Sequence, residues 1–483
     1  MNKKQPSTAL VWFRQDLRLS DNPALNHACQ HYEQVIPVFI DDSLTVGQWA
    51  TGAASRWWLH HSLKELQNRL QARQSELIIR CGDPTKVIKA LISETAAKAV
   101  FWNRRYEPLG IKCDRSLKTT LREAKVVCET FNANLWWEPW ELKTQQNKPY
   151  RVFTPMWKNM LKYWRFPSMD TTYVLPKIQQ TPTSLSVDGL NLLPKVDWDK
   201  GFYEHWQPGE KGAGKQLEVF SEESINGYTK ARDIPSTPGT SQLASHLHFG
   251  EISTRQIIRH LCPDGHAPVD SEINAFIRQL AWREFSWHLL FNYPQLPEQG
   301  LQEKFDAFPW RKSNDYQADL IAWQQGKTGV PMVDAGMRQL WKTGWMHNRV
   351  RMLVASFLTK NLLIPWQEGA KWFWDTLVDA DLANNTQGWQ WTAGCGADAA
   401  PYFRIFSPVA QGQRFDPNGD YVRRWVPEIN AIKGKNIHAP WEIDDSLLAQ
   451  LGIVLDLDYP RPIVNLKYSR ERALAAYQQT RLS

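Results

Sequence analysis

Five short apolar runs alternate with helix-like patterns over residues 1–135, and this alternation constrains the fold more than any other feature. The runs are rich in β-branched and aromatic residues, as strands are. Between the second and third runs, Leu59, Leu63, Leu66 and Leu70 recur at helical spacing. The alternation predicts an α/β domain, a doubly wound parallel sheet with helices on both faces. The predicted strands are Ala9–Phe13, Val35–Ile40, Glu76–Cys81, Ala99–Asn103 and Lys125–Phe131.

The segment after the first strand, RQDLRLSDNPAL at 14–25, is a candidate ligand loop. Ligands of such sheets bind beyond the carboxyl ends of the strands. No G-x-G-x-x-G follows this strand, so an ordinary NAD site is not supported.

The pattern changes twice after residue 135. Prolines punctuate residues 136–214, which predicts a long linker with one local helix near TPMWKNMLKYW at 154–164. Almost every periodic segment in residues 215–483 is helical. We therefore predict an α/β domain at 1–135, a linker at 136–214 and an all-α domain at 215–483.

Composition bounds the class of protein. No run of eighteen apolar residues occurs, so no membrane span is predicted. The N-terminus MNKKQPSTALVWF lacks the apolar core of a signal peptide, and a cytoplasmic location is expected. Six scattered cysteines lack metal-ligand spacing, so no metal site is predicted. The 57 basic and 50 acidic residues give a net charge of +7, which permits a polyanionic partner without demonstrating one.

Two hydroxyl residues, Thr240 and Ser241, follow a Pro-Gly turn and precede an amphipathic run. Side chains of this kind cap helix N-termini. A helix N-terminus with free N–H groups is also an anion site. The residues themselves leave both interpretations open.

The segment TGWMHNRVRM at 343–352 reads as helix but mixes polar, cationic and sulfur side chains. Asn348 and Met352 are four residues apart and therefore share a helix face. Asp379, further along, is a plausible ion-pair partner for Arg351. Such a cluster suits a polar, flat, heteroaromatic ligand. An inter-helix polar network is an equal alternative at this point.

Long ordered motifs run through both predicted domains. They include VWFRQDLRLSDNPAL at 11–25, GKTGVPMVDAGMRQLWKTGWMHNRVRM at 326–352, DADLANNTQGWQW at 379–391 and DAAPYFRIFSPVAQGQRF at 398–415. On these motifs the chain resembles the photolyase/cryptochrome family of flavoproteins. Within that family, WMHNRVRM and APYFRIF resemble cyclobutane pyrimidine dimer photolyases. Photolyases of the (6-4) type carry His where this chain has Asn348 and Met352.

The resemblance implies an α/β antenna domain, a helical FAD domain and a light-driven carbon–carbon lyase, deoxyribodipyrimidine photolyase. Its substrate is UV-damaged DNA, from which the pyrimidine dimer is flipped into a cavity above FAD. An electron from light-excited reduced FAD splits the cyclobutane ring and then returns. A monomer is expected, and the antenna chromophore is either 8-hydroxy-deazaflavin or methenyltetrahydrofolate, if one is present. The alternatives are a cryptochrome-like photoreceptor without repair activity and a (6-4) photolyase.

The resemblance also implies roles for individual residues. Arg351 and Asp379 pair beside the isoalloxazine ring, and Asn385 lies at flavin N5. The full FAD set is Tyr228, Thr240, Ser241, Gln242, Leu243, Ala244, Phe276, Arg351, Asp379, Asp381 and Asn385. The electron relay to FAD is Trp389, Trp366 and Trp310. The lesion and DNA set is Arg232, Gln279, Trp282, Asn348, Arg349, Met352, Trp391 and Arg404.

The chain departs from the family pattern at three places. Gln279 stands where dimer photolyases usually carry Glu, so the titratable proton expected there is missing. Ala244 replaces the last Ser of the T-S-x-L-S motif, where Ser245 is a candidate substitute. YEPLGIK at 106–112 lacks the Asn-Glu of the usual folate-antenna signature. Asn348, Met352, Trp282 and Trp391 favour repair, whereas Gln279 is the main argument for signalling.

Overall fold

The computed structural model describes residues 5–43, 47–168, 173–178, 181–269 and 271–482 of the 483-residue chain. The chain packs into two compact units, each assembled from several segments. The first unit comprises residues 1–197, 206–223 and 241–294, and the second comprises 198–205, 224–240 and 295–483. The domain boundaries expected near residues 135 and 215 remain predictions.

The first unit contains a five-stranded parallel sheet in the order β3-β2-β1-β4-β5. Residues 9–13 of its central strand are all 0% exposed, so both faces of that strand are covered. Each strand overlaps one of the five predicted runs, and the predicted parallel sheet is confirmed. The strands are β1 (Gln5–Phe13), β2 (Tyr32–Asp41), β3 (Ile78–Cys81), β4 (Ala99–Asn103) and β5 (Val127–Phe131).

Helices make up most of the remaining regular structure, and no named strand follows residue 131 in the described part of the chain. The helices that cover the predicted leucine repeat and the predicted linker helix are α2 and α5. In chain order the helices are α1 (Pro23–His31), α2 (Ala53–Gln71), α3 (Pro84–Thr95), α4 (Pro108–Glu123), α5 (Phe153–Lys162), α6 (Phe202–His205), α7 (Glu210–Val219), α8 (Tyr228–Ala231), α9 (Ala244–His248), α10 (Thr254–Leu261), α11 (Glu272–Asn292), α12 (Ser313–Gln324), α13 (Pro331–Thr343), α14 (Asn348–Ser356), α15 (Trp366–Thr376), α16 (Leu382–Ala393), α17 (Pro408–Phe415), α18 (Asp420–Trp425), α19 (Asp445–Gln450) and α20 (Leu466–Leu482).

Local sequence signals explain where several helices begin. Asn22 and Asp83 cap α1 and α3, each with a Pro at the first helical position, where its fixed φ is favourable. Ser253 caps α10 in a reciprocal capping box with Gln256. None of the described helices is both long and apolar enough to span a bilayer.

Each unit has its own apolar core. The sheet of the first unit packs Leu10, Trp12, Val38 and Trp102 against the helices that cover it. The larger core of the second unit gathers residues from 305 to 476, including Trp366 and Trp389.

Candidate functional site

The segment 343–352 is divided between two helices. Gly344 ends α13 with a φ of 67°, in the left-handed region that favours glycine. A Cβ atom there would lie 2.7 Å from Val378 and 2.8 Å from Phe202, so packing also requires glycine. The next helix, α14, begins only at Asn348. The expectation of one continuous helix over 343–352 is wrong, and Asn348 lies in a first turn.

His347 fixes the start of α14. Its ring is 1% exposed, and its Nδ1 accepts a hydrogen bond from the backbone N–H of Arg349 at 3.2 Å. Burial lowers the pKa of His347 to about 4, so the ring is uncharged at neutral pH and this acceptor persists. The first turn of α14 is therefore held in place independently of any ligand.

Asn348 and Met352 lie one turn apart on α14, as predicted. The Asn348 side-chain amide donates to Met352 Sδ at 3.9 Å, and Asn348 is exposed while Met352 is half-buried. A polar amide beside a polarisable thioether on an accessible face suits a flat ligand with polar edges.

Arg351 and Asp379 form the predicted ion pair, with 2.8 Å between Nη2 and Oδ2. Arg351 Nε also donates to the backbone carbonyl of Met346 at 2.7 Å. The second carboxylate oxygen of Asp379, Oδ1, is buried and has no hydrogen-bond partner among the described residues. Because an unsatisfied buried oxygen is costly, this atom is suited to accept from a ligand N–H. The isoalloxazine ring of FAD carries such N–H groups, so the residues fit the cofactor implied by the resemblance.

Asp381 and Asn385 lie at the start of α16. Asp381 caps this helix, accepting from the backbone N–H of Asn384 at 2.8 Å and from its amide at 2.7 Å. Asn385 Nδ2 donates to the backbone carbonyl of Ala370 at 2.9 Å. That bond orients the amide and leaves its oxygen as an acceptor for a ligand. Their proposed contacts with flavin stay predictions.

The three tryptophans of the predicted relay lie in or against one core. Trp389 and Trp366 are 2% and 3% exposed, and the partly buried Trp310 packs against the same cluster. A Cβ on Gly369 would lie 2.0 Å from the Trp389 ring, so this glycine lets the indole pack directly on α15. Trp366 is the first residue of that helix. Trp389 and Trp366 are thus buried and Trp310 is partly exposed, while their role as a relay stays a prediction.

Two predicted phosphate-binding arginines have partners within the second unit. Arg349 Nη2 lies 2.5 Å from Asp233 Oδ1, and its guanidinium lies 4.5 Å from the centroid of the Phe415 ring. The guanidinium of Arg232 lies 5.2 Å from the ring centroid of Tyr228. Tyr228 is buried at the start of α8, and this burial raises its pKa. Asp233 was not among the predicted site residues, although it directly follows Arg232 in the sequence YTKARD at 228–233.

The third predicted arginine, Arg404, is exposed in the segment 401–406. This segment follows α16, where the backbone carbonyl of the half-buried Trp391 accepts from the N–H of Ala400 at 3.2 Å. Trp391 and Arg404 therefore lie on connected parts of the second unit. Thr240, which is half-buried, also belongs to that unit.

The rest of the FAD set lies in the first unit. Ser241 Oγ accepts from the backbone N–H of Leu243 at 3.4 Å, and Gln242 has a φ of 51°. Because α9 starts at Ala244 with Leu243 as its N-cap, neither Thr240 nor Ser241 caps this helix. Ser245, the candidate substitute for the missing hydroxyl, is 1% exposed. Phe276, also in this unit, is 3% exposed on α11.

Gln279 and Trp282 share α11 with Phe276. Gln279 Nε2 donates to the backbone carbonyl of Ala275 at 3.1 Å. The half-buried Trp282 stacks on Phe153, with 3.8 Å between ring centroids and an interplanar angle of 10°. Phe153, the first residue of α5, was not expected at the site, because nothing in the linker sequence distinguishes it from core filler.

The predicted ligand loop at 14–25 is tied into the first unit by its own charged side chains. Arg14 forms an ion pair with Asp114 at 2.6 Å, and Arg18 donates to the backbone carbonyls of Gly250 and Ala133. Both arginines are buried, and so is Asp16. This ion pair and these hydrogen bonds tie the loop to other segments of the unit. Across the described residues, no three His, Cys, Asp or Glu side chains are grouped to hold a metal ion.

Two family descriptions match the chain. The family described as DNA photolyase matches residues 9–176, and the FAD binding domain of DNA photolyase matches residues 276–479.

Individual proteins are similar to the chain over nearly its whole length. A deoxyribodipyrimidine photo-lyase from Agrobacterium fabrum is 46% identical over 97% of both chains. Cryptochrome-2 from Arabidopsis thaliana is 36% identical over 99% of this chain and 80% of its own. The crystal structure of a bacterial class III photolyase from Agrobacterium tumefaciens has a TM-score of 0.94 and 45% identity, covering 100% of this chain and 99% of that one.

Proposed function

Because the chain belongs to the photolyase/cryptochrome family, we propose that it splits cyclobutane pyrimidine dimers in UV-damaged DNA with light. The observation that carries this proposal is the Asn348–Met352 pair on the accessible first turns of α14. An amide at this position donates to or accepts from the polar edge of a pyrimidine, while a thioether contacts its apolar body. Histidines, which (6-4) photolyases carry at both positions, are absent here.

The second unit holds the residues that would orient the isoalloxazine ring. Asp379 Oδ1 accepts from a ring N–H, and the Arg351 guanidinium holds that carboxylate in place at 2.8 Å. Asn385, oriented by Ala370, offers its side-chain oxygen to flavin N5. The remaining FAD contacts proposed for this chain are Tyr228, Thr240, Ser241, Gln242, Leu243, Ala244, Phe276 and Asp381. Bound FAD supplies the light-excited electron that opens the dimer.

The buried indoles carry electrons to the cofactor in this proposal. Trp is easily oxidised, and Trp389 and Trp366 lie in a core that excludes water, against which the partly buried Trp310 packs. Exclusion of water by the first two indoles protects the transferred charge from side reactions. The surface-proximal Trp310 receives an electron from a soluble reductant such as a thiol, which replaces the electron passed on to FAD.

The lesion is held by stacking, by hydrogen bonds and by charge. Trp282 and Trp391 stack on the pyrimidines, each contact contributing roughly 1–3 kcal/mol per base. Gln279 accepts from a base N–H through its side-chain oxygen, and its amide nitrogen donates to the backbone carbonyl of Ala275. Arg232, Arg349 and Arg404 bind the flanking phosphates, which positions the strand without reading its sequence. When damaged DNA binds, the Arg349 guanidinium leaves the Asp233 carboxylate and pairs with a phosphate.

One observation favours a second candidate, a blue-light photoreceptor without repair activity. Gln279 supplies no titratable proton where dimer photolyases usually carry Glu. The chain is also similar to a plant cryptochrome over almost all its length.

One experiment separates these functions. The reduced protein is illuminated with DNA that carries either a cyclobutane dimer or a (6-4) lesion, and restored pyrimidines are measured against a dark control. We expect repair of the dimer alone, and we expect the double variant Asn348→His with Met352→His to lose it. Repair of the (6-4) lesion would assign that activity instead, and repair of neither would leave signalling as the function.

A further inference from the structure

A fully buried lysine lies below the segment 401–406. Lys360 is 0% exposed in the π-helical segment Phe357–Asn361, which continues directly from α14. Its Nζ donates to the backbone carbonyl of Arg404 at 3.1 Å and lies 5.1 Å from the centroid of the Tyr402 ring. Burying a lysine is costly, and burial lowers its pKa to about 7, so its contacts must compensate.

A second buried side chain holds the same segment. Ser356 is 0% exposed, and its Oγ accepts from the backbone N–H of Phe406 at 3.3 Å. Ser356 and Lys360 are four residues apart, at the same interval that separates Asn348 from Met352 along this stretch of helix. One stretch of helix thus carries the predicted lesion contacts near its start and two backbone anchors at its end.

The anchored segment leaves its outward side chains free. Phe403 is 64% exposed and Arg404 is exposed as well, whereas Tyr402 between Pro401 and Phe403 is buried at 2% exposed. Tight backbone bonds, from Arg404 N–H to Pro401 and from Ile405 N–H to Phe403, keep the turn compact. Lys360 therefore contacts Arg404 through its backbone and leaves the guanidinium available.

We propose that Ser356 and Lys360 are positioning residues that fix the backbone of segment 401–406, so that Arg404 presents its guanidinium to a phosphate beside the lesion. This inference rests on the proposed function, since that function supplies the phosphate. A preorganised arginine binds more tightly because its ordering cost is met during folding rather than on binding.

The test is a double-mutant cycle on the FAD-loaded full chain. Binding of a duplex with one cyclobutane dimer is measured in the dark for the wild type, Lys360→Met, Arg404→Ala and the double variant. We expect Lys360→Met to weaken binding by about fivefold to tenfold, and to weaken it by less than about twofold when Arg404 is already Ala. Thr359→Val is the matched control, because Thr359 is equally buried and its hydroxyl donates to the backbone carbonyl of Ala355 within the same turn.

Hydrogen exchange gives an independent readout without DNA. We expect the amide of Phe406 to exchange faster in Lys360→Met and in Ser356→Ala than in the wild type or Thr359→Val. Ser356→Ala, which keeps the lysine, replaces Lys360→Met in the binding cycle if the latter does not fold.

The outcomes separate this inference from the proposed function. If the wild type binds and repairs damaged DNA while the variants bind equally well, the inference is overturned and the function stands. Equal losses from Lys360→Met with and without Arg404 also overturn it. A wild-type protein that neither binds nor repairs damaged DNA removes the proposed function, and this inference with it.

Discussion

The indole of Trp282 and the phenyl ring of Phe153 lie parallel, with 3.8 Å between their centroids. Phe153 is 0% exposed, and the guanidinium of Arg278 lies 5.6 Å from its ring centroid. The stack restrains the tryptophan that we propose stacks on the pyrimidine. An aromatic side chain from the predicted linker segment thereby supports a proposed substrate contact.

Replacing Phe153 by Leu keeps the apolar volume but removes this stack. Aromatic pairs contribute about 0.5–1.5 kcal/mol beyond burial, so we expect damaged DNA to bind about twofold to tenfold more weakly. Phe291→Leu is the control, since Phe291 is on the same helix and contacts Trp140. Equal affinity of Phe153→Leu and the wild type in fluorescence anisotropy would show that Trp282 does not need the support.

The orientation of Gln279 predicts the effect of restoring a carboxyl group. The amide nitrogen of Gln279 donates to the backbone carbonyl of Ala275. An ionised Glu has no N–H to donate, and its oxygens would be repelled by that carbonyl oxygen. We therefore expect the carboxyl group in Gln279→Glu to turn toward the lesion. Its protonated form there supplies the proton that the amide lacks, which should raise the repair quantum yield on a thymine dimer. Gln279→Leu should lower the yield. A yield in Gln279→Glu that is unchanged or lower contradicts this role.

The ion pair between Arg351 and Asp379 should control cofactor content. In Asp379→Asn the pair loses its charge, and we expect FAD to bind about tenfold more weakly or worse. Asp420→Asn alters an exposed pair with Arg423 and should retain full FAD content. The ratio of flavin to protein absorbance after purification measures both. Full FAD occupancy in Asp379→Asn would rule out a direct contribution of this carboxylate to FAD binding.

Trp389 should be required for photoreduction but not for repair. We expect Trp389→Phe to stop light-driven reduction of oxidised FAD, because Phe is much harder to oxidise, while the chemically reduced variant still repairs dimers. Trp323→Phe is the control, since Trp323 is buried 6.2 Å from Trp389 but outside the proposed relay. If Trp323→Phe lost photoreduction and Trp389→Phe kept it, electrons would reach FAD through Trp323 rather than through Trp389.

The burial of Lys360 predicts that the free energy of unfolding of the protein depends on pH. Because burial lowers its folded-state pKa from 10.5 to about 7, the unfolded chain holds more protons between these two values. The contribution of Lys360 to the free energy of unfolding therefore rises with pH from about 7 toward 10.5, by at most about 1.4 kcal/mol per pH unit. We expect denaturant titrations of Lys360→Met to lack this increment. Parallel pH profiles for the two proteins would show that Lys360 titrates normally.

The strands and the ion pair were predictable because their signals are local or strongly complementary. Apolar runs bounded by turns placed all five strands, and the parallel sheet followed from their alternation with helices. Arg351 and Asp379 were paired from charge and from the neighbouring polar cluster. The break at Gly344 has a clear local signal, a glycine after a run of helix, which the expectation of a continuous helix overlooked.

The sequence by itself determined which elements form and which chemical groups they carry, because backbone propensity, capping and periodicity act over a few residues. Tertiary structure alone decided that Phe153 stacks on Trp282, that Asp233 pairs with Arg349 and that Lys360 is buried beneath Arg404. These contacts join residues distant in the chain, and each depends on the packing of whole helices rather than on any local preference. A lysine in an amphipathic stretch is ordinarily solvated, and only the closure of the core around α14 removes Lys360 from water.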